Sequence, residues 1–165
     1  MGKVAAGSED IEDQFSSFSI DPSEKFLATI SRRSMMIKIH DLSELREVAS
    51  WKCAHQLPVL DIAYSPTGYE LATCSADKSI IVYSVKRAGV VTHRFAPSAT
   101  KQGHKTRVVH IFWHPNPKRQ EIISCAEDGE MRLWKLSDSQ SPKHDMDICS
   151  RHCRLIPSKA HTNHC

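Results

Sequence analysis

Apolar residues gather in short runs of six or seven positions, alternating with polar ones and cut apart by Pro, Gly, Asn, Asp and Ser. Three runs, VVHIFW (Val108 to Trp113), EIISCA (Glu121 to Ala126) and MRLWKL (Met131 to Leu136), are separated by Pro115-Asn116-Pro117 and by the tight turn Glu127-Asp128-Gly129. Period-two patterning bounded by such punctuation predicts antiparallel strands in a meander. The order recurs upstream. PVLDIAY (Pro58 to Tyr64), YELATCS (Tyr69 to Ser75) and SIIVYSV (Ser79 to Val85) are joined by Ser65-Pro66-Thr67-Gly68 and Ala76-Asp77-Lys78. FSSFSI (Phe15 to Ile20), KFLATIS (Lys25 to Ser31) and MIKIHDL (Met36 to Leu42) repeat it once more around Asp21-Pro22-Ser23. Outer strands are expected around Val48, Ser50 and Trp51, and at VVTHRF (Val90 to Phe95).

The turn prolines Pro22, Pro66 and Pro115 stand 44 and 49 residues apart, near the period of four-stranded propeller blades. Gly103-His104 precedes the last set and Ala54-His55 the middle one, while Trp134-Lys135, Tyr83 and His40-Asp41 close the third strands. In this frame each set resembles a WD repeat. The expected fold is therefore all-β, a WD-repeat β-propeller fragment of about three four-stranded antiparallel blades, near residues 11–52, 53–100 and 101–136. Residues 1–10 read as a disordered N-terminus and 137–150 as a polar loop. Arg151 to His161 reads as a further outer strand leading into Ala160-His161, so 151–165 would begin a truncated next blade. A propeller closes with roughly four to eight blades, so an incomplete ring, from a fragment or truncated isoform, is expected.

The WD resemblance implies a buried hydrogen-bonded set in each blade, because every buried polar group must find a partner. His104, Ser124, Asp128 and Trp134 match that set, and His55, Thr73 and Asp77 match it in the preceding blade. Tyr83 replaces the tryptophan there, so its hydroxyl would have to substitute for the indole donor. Arg32-Arg33 fills the first blade's Asp position, and that blade is expected to lack the network. The competing reading makes His104 and Asp128 a catalytic base and its orienting carboxylate. Ser124 lacks the Gly-x-Ser-x-Gly context of a nucleophile, and two copies of the pattern favour a structural role, with no enzyme activity expected.

The other chemistry adds little. Hydrophobic residues make up 40% and charged residues 25% of 165, ordinary for a soluble globular chain, and a net charge of +3 is too small to argue for nucleic acid. The N-terminus lacks the apolar core of a signal peptide, no run reaches the about 18 apolar residues of a membrane span, and Ala6 breaks the myristoylation pattern begun by Met1-Gly2. An intracellular chain with reduced cysteines is expected, and Cys74 and Cys125, at the same place in consecutive middle strands, read as small core hydrophobes. The cluster Cys149, His152, Cys153, His161, His164 and Cys165 misses zinc-finger spacing, so no metal is expected. Lys101, Lys105, Arg107, Lys118 and Arg119 lie in loops without interleaved aromatics and read as solvated surface.

Finer resemblance comes from three stretches: Lys86 to Phe95; Gly103 to His110 running into Trp113-His114-Pro115-Asn116-Pro117; and Phe18 to Pro22 leading to Leu27 to Arg32. Together they resemble the transducin-beta-like WD scaffolds of the small-subunit processome, with Ser137 to Ser150 the weakest part. The resemblance implies an early portion of the first of two propellers and a non-catalytic, cofactor-free subunit of a nucleolar snoRNP assembly that processes the 18S RNA precursor. It implies protein partners on propeller faces and edges, only indirect association with snoRNA or pre-rRNA, no membrane and no small-molecule substrate. The alternative is a generic WD adaptor, such as a ubiquitin ligase substrate receptor or a signalling scaffold, which needs the same blades.

Overall fold

The computed structural model describes residues 15–97 and 103–136, and among them every regular element is a strand. β1 (Phe15–Ile20), β2 (Phe26–Ser31), β3 (Met36–Asp41) and β4 (Arg46–Lys52) form the first sheet, and β5 (Val59–Tyr64), β6 (Glu70–Ser75), β7 (Ile80–Ser84) and β8 (Val90–Phe95) the second. β9 (Val108–Trp113), β10 (Glu121–Ala126) and β11 (Met131–Lys135) form a third sheet of three described strands. Strands follow chain order within each sheet and all neighbours run antiparallel. The first strands β1, β5 and β9 lie side by side, so the sheets radiate from one edge as propeller blades, and the three do not close a ring. The terminal regions expected at 1–10, 137–150 and 151–165 lie outside the described residues, as does the C-terminal Cys/His cluster.

Two cores fill the two seams between blades. Ala28, Ile30, Ile37 and Ile39 of the first blade meet Ile62, Leu71, Ile81 and Tyr83 of the second. Ala72, Cys74, Ile80 and Val82 meet Ile111, Ile122 and Trp134 of the third. Successive residues of a strand point to opposite faces, so the run IIVY in β7 is apolar throughout because its odd and even positions enter different cores. β4 and β8 have one face in water and show mixed, largely exposed patterns. Burial pushes the Cys74 thiol far above its usual range, as suits a small core hydrophobe. Cys125 departs from that expectation: it is half-buried, because its face of the third blade meets no further blade among the described residues.

The first turn of each blade is held by a side chain just before a proline. Asp21 accepts the N–H groups of Ser23, Lys25 and Phe26, Ser65 Oγ accepts that of Glu70, and His114 Nδ1 that of Asn116. Three different residue types thus do one job, since any short acceptor can satisfy the amides a turn leaves unpaired. The next hairpin differs between blades. Cys74 pairs with Ile80 and Cys125 with Met131, six residues on, but Ile30 pairs with Ile37, seven on. That extra residue reshapes the turn holding Arg32-Arg33.

Candidate functional site: the blade networks and the seams

Thr29, Thr73 and Ser124 occupy one register position, opposite Lys38, Ile81 and Arg132, and His40, Tyr83 and Trp134 follow two residues later on the third strands. In the third blade the side chains form a directed relay. Trp134 Nε1 donates to Ser124 Oγ at 2.7 Å, Ser124 lies 2.6 Å from His104 Nε2, and His104 Nδ1 lies 3.2 Å from Glu130 Oε2. The Glu130 carboxylate can only accept, so in the neutral ring the proton sits on Nδ1 toward it, and Nε2 is left to accept the Ser124 hydroxyl, whose oxygen accepts the indole N–H. Burial lowers the His104 pKa, with Glu130 pulling the other way, and the ring is held neutral.

Asp128 is not part of this relay. It is exposed, its carboxylate accepts the Glu130 N–H at 3.0 Å, and its own N–H reaches Thr106 Oγ1 at 3.4 Å. Glu130 supersedes it for a steric reason visible in the middle blade. There Ser79 holds the position of Glu130 and is short, so Asp77 approaches His55 Nδ1 to 3.1 Å while Ser79 Oγ bonds both, at 2.9 Å to the ring and 2.6 Å to the carboxylate. A glutamate at that place reaches the imidazole by itself, and Arg132 anchors it from behind at 2.6 Å. Aligning the turn carboxylates found Asp77 and missed Glu130. Comparing the residues two positions later, Ser79 and Glu130, was the signal available.

The middle blade completes its set differently. His55 Nε2 lies 2.8 Å from Thr73 Oγ1, and Tyr83 Oη accepts the Ala54 N–H at 2.8 Å, so the phenol reaches the backbone beside the histidine. Burial pushes Tyr83 up to about 12. Burial alone would raise Asp77, but the hydrogen bonds from His55, Ser79 and the Gln56 N–H outweigh it and hold the carboxyl well below the usual range. The first blade, expected to lack the network, keeps a remnant: Thr29 Oγ1 and His40 Nε2 are 3.3 Å apart. Its longer hairpin and Arg32-Arg33 supply no carboxylate, and only this pair persists among the described residues.

The connectivity Ser124–His104–Glu130 has the order of a nucleophile, base and orienting acid. Its setting does not suit one: Ser124 is 0% and His104 1% exposed, and the serine oxygen already accepts the Trp134 proton. A depression between the second and third blades, lined by Ser65, Glu70, Arg87, Trp113 and His114 among others, encloses about 260 Å³, below the usual range of small-molecule sites. Of the loop cations, Arg107 pairs with Glu127 and Arg119 lies 3.6 Å from Glu121.

Asp61, on β5, links all three blades, and its role was not legible from the repeat. Its Oδ1 accepts the Ser17 hydroxyl at 2.7 Å and its Oδ2 the Ile111 N–H at 3.1 Å. Alongside it, Ser19 Oγ accepts the Tyr64 N–H and Trp113 Nε1 donates to the Ala63 carbonyl, both at 3.0 Å.

Residues 46–84 and 95–135 match the family model described as WD domain, G-beta repeat. The first match begins on β4 of one blade and ends on β7 of the next, so the sequence repeat is staggered against the structural blade. Transducin beta-like protein 3 of Bos taurus is 34% identical over 131 residues, 79% of this chain and 15% of that protein. Coronin-2A of Homo sapiens is 27% identical over 108 residues, 65% of this chain and 20% of its own. DDB1- and CUL4-associated factor 13 of Xenopus laevis is 26% identical over 121 residues, 73% and 25% respectively. The chain thus spans between 15% and 25% of the length of these relatives. With its radiating antiparallel blades, the buried histidine sets of the second and third, and these matches, the chain is a WD-repeat protein that resembles transducin beta-like protein 3 over 79% of this chain.

Proposed function

We propose that this chain is a non-catalytic WD-repeat scaffold of the nucleolar small-subunit processome, acting in 18S ribosomal RNA precursor processing. The observation that carries the reading is the 34% identity to transducin beta-like protein 3 across 79% of the chain. The structure supports a scaffold role through chemistry turned inward: the titratable constellations His55–Asp77 and His104–Glu130 tie loops to blades and offer no open site. Partners are proteins held on blade faces and edges, and RNA is approached through them, since loop cations such as Arg107 are matched by acidic neighbours. We assign the network residues His55, Thr73, Asp77, Tyr83, His104, Ser124 and Trp134 a structural role, with Glu130 in place of Asp128.

A second reading, a WD adaptor that presents substrates to a ubiquitin ligase, is favoured by the match to the factor whose name records association with DDB1 and CUL4. Immunoprecipitation of the endogenous protein from nuclear extract separates the two. The scaffold reading expects co-sedimentation with pre-ribosomal particles and recovery of the small-subunit RNA precursor. Recovery of cullin ligase components without that RNA would replace it with the adaptor.

A further inference from the structure

A glutamate recurs at one register position of the second and third blades and meets two different surroundings. Glu70 opens β6 opposite Ser84, and Glu121 opens β10 opposite Lys135. Glu121 is buried and two cations satisfy it: Lys135 Nζ lies 3.5 Å from its Oε1, and Arg119 Nη1 lies 3.6 Å from its Oε2. In the second blade Ser84 stands in the place of Lys135, and Gly68, two residues before the glutamate, stands at the offset of Arg119. Both cations are therefore replaced by neutral residues, and the half-buried Glu70 carboxylate has no ion pair and no hydrogen-bond donor among the described residues. Burial acts on it unopposed and pushes its carboxyl above the usual range. A desolvated carboxylate without a partner is unfavourable, and the third blade shows which chemistry relieves it.

Side chains alternate along a strand, so Glu70 lies on the side of Ala72 and Cys74 and faces the third blade. There it lines the depression between the two blades together with Ser84, Arg87, Thr92, Trp113 and His114. A volume of about 260 Å³ suits one long side chain better than a whole small molecule. The Trp113 ring is fixed by its bond to the Ala63 carbonyl. An aromatic ring beside a carboxylate suits a guanidinium, which can stack and make paired hydrogen bonds at once. Nearby cations of the chain are placed elsewhere: Lys86 Nζ sits over the Tyr69 ring, 3.6 Å from its centroid, and Arg87 is exposed and forms no ion pair among the described residues. The depression thus presents one acidic centre beside basic neighbours.

We propose that this seam receives an arginine side chain of a partner protein, its guanidinium on Glu70 beside Trp113 and the acidic residues flanking it on Arg87. The third blade is the internal template: the guest does for Glu70 what Lys135 and Arg119 do for Glu121. Flanking acids follow from charge complementarity, because Arg87 has no acidic partner among the described residues and like charges brought together across an interface cost affinity. Every residue that lines the site is described and belongs to the second or third blade, so the site is formed by these two blades alone. The inference rests on the reading that blade faces hold protein partners, and not on the assembly to which those partners belong.

The test is fluorescence anisotropy with the full 165-residue chain and a labelled peptide carrying one arginine between two pairs of acidic residues. Saturable binding is expected, and a peptide with citrulline in place of the arginine, of the same shape but uncharged, should not bind. Glu70→Gln should weaken the parent peptide roughly tenfold or more without lowering the urea midpoint. Ser84→Lys gives Glu70 the cation that its counterpart has in the third blade. It should weaken the peptide and raise the urea midpoint together, a pair of effects that a poorly folded variant does not give. No saturable binding by the parent chain, equal binding of the citrulline peptide, parental affinity in both variants, or tighter binding of a peptide with all charges reversed would each overturn the proposal. Loss of the peptide site with co-sedimentation intact removes only the arginine inference; peptide binding without co-sedimentation removes only the ribosomal assignment.

Discussion

Asp77 and Asp128 hold the same place in consecutive turns, yet only Asp77 meets its histidine; two positions on, Ser79 makes room for it and Glu130 does not. Removing Asp77 or Glu130 strips a buried imidazole N–H of its carboxylate, at a cost of roughly 1–3 kcal/mol. Asp77→Ala and Glu130→Ala should therefore lower the urea midpoint clearly, whereas Asp128→Ala, at an exposed site, should stay within about 0.5 kcal/mol. Equal losses for Asp128→Ala and Glu130→Ala would show that the relay is misassigned. The same sites set a pH dependence. His104 titrates below its ordinary value when folded, while an unfolded histidine takes up its proton near pH 6.5. The folded state binds fewer protons in that window, so this stabilisation is complete above about pH 6.5 and is lost as pH falls through the folded pKa. The depressed Asp77 adds a second loss below about pH 4. His104→Asn should reduce the higher-pH part of the decline in thermal-melt profiles, which His93, also lowered by burial, shares, and leave the lower part.

The hairpins and inner strands invite separate tests at the scale of elements. Gly129 has φ of +83°, and nothing lies within 4 Å of where a Cβ would stand. Gly129→Ala therefore isolates the backbone term and should cost about 1 kcal/mol, read as a shift in urea midpoint at constant m-value. Lys78, with φ of +70°, occupies the corresponding place in the middle blade without a glycine, so Lys78→Gly should be neutral or mildly stabilising. Asp61 tests how the inner strands are joined. Asp61→Ala removes the acceptor of both Ser17 and the Ile111 N–H, and the Ile111 amide should exchange faster in hydrogen-exchange measurements while amides inside β6 and β7 keep their rates. Unchanged exchange at Ile111 would mean that apolar packing alone holds the seam.

At the scale of the whole molecule, the middle blade is the only one of the three described with both faces in a core, one shared with each neighbour. In an array where each repeat contacts only its neighbours, stability is a sum over units and interfaces. Protection against hydrogen exchange should therefore be highest in β6 and β7 and fall toward β2, β3, β10 and β11 when the chain is dilute. A flat profile at every concentration would contradict nearest-neighbour coupling.

The repeat order, strand positions and blade faces were legible in the sequence because they rest on local signals: period-two alternation, proline turns and the spacing of His55 and His104 from their partner strands. Thr73, Tyr83, Ser124 and Trp134 were expected only through the resemblance to WD repeats, which supplied the set that periodicity and turns do not show. Other features were decided only where chains of local choices meet in space. Glu130 displaced Asp128 because side-chain length at one turn position determines which carboxylate reaches a buried ring. Thr29 and His40 kept a bond in a blade whose altered turn predicted none, since strand register brings them together whatever the turn contains. Asp61 joined three blades through partners 44 and 50 residues away, a link set by how neighbouring sheets stack. The sequence determined what each blade is, through periodicity and turn chemistry; tertiary packing decided which polar atoms meet, because those distances arise only when two faces are pressed together.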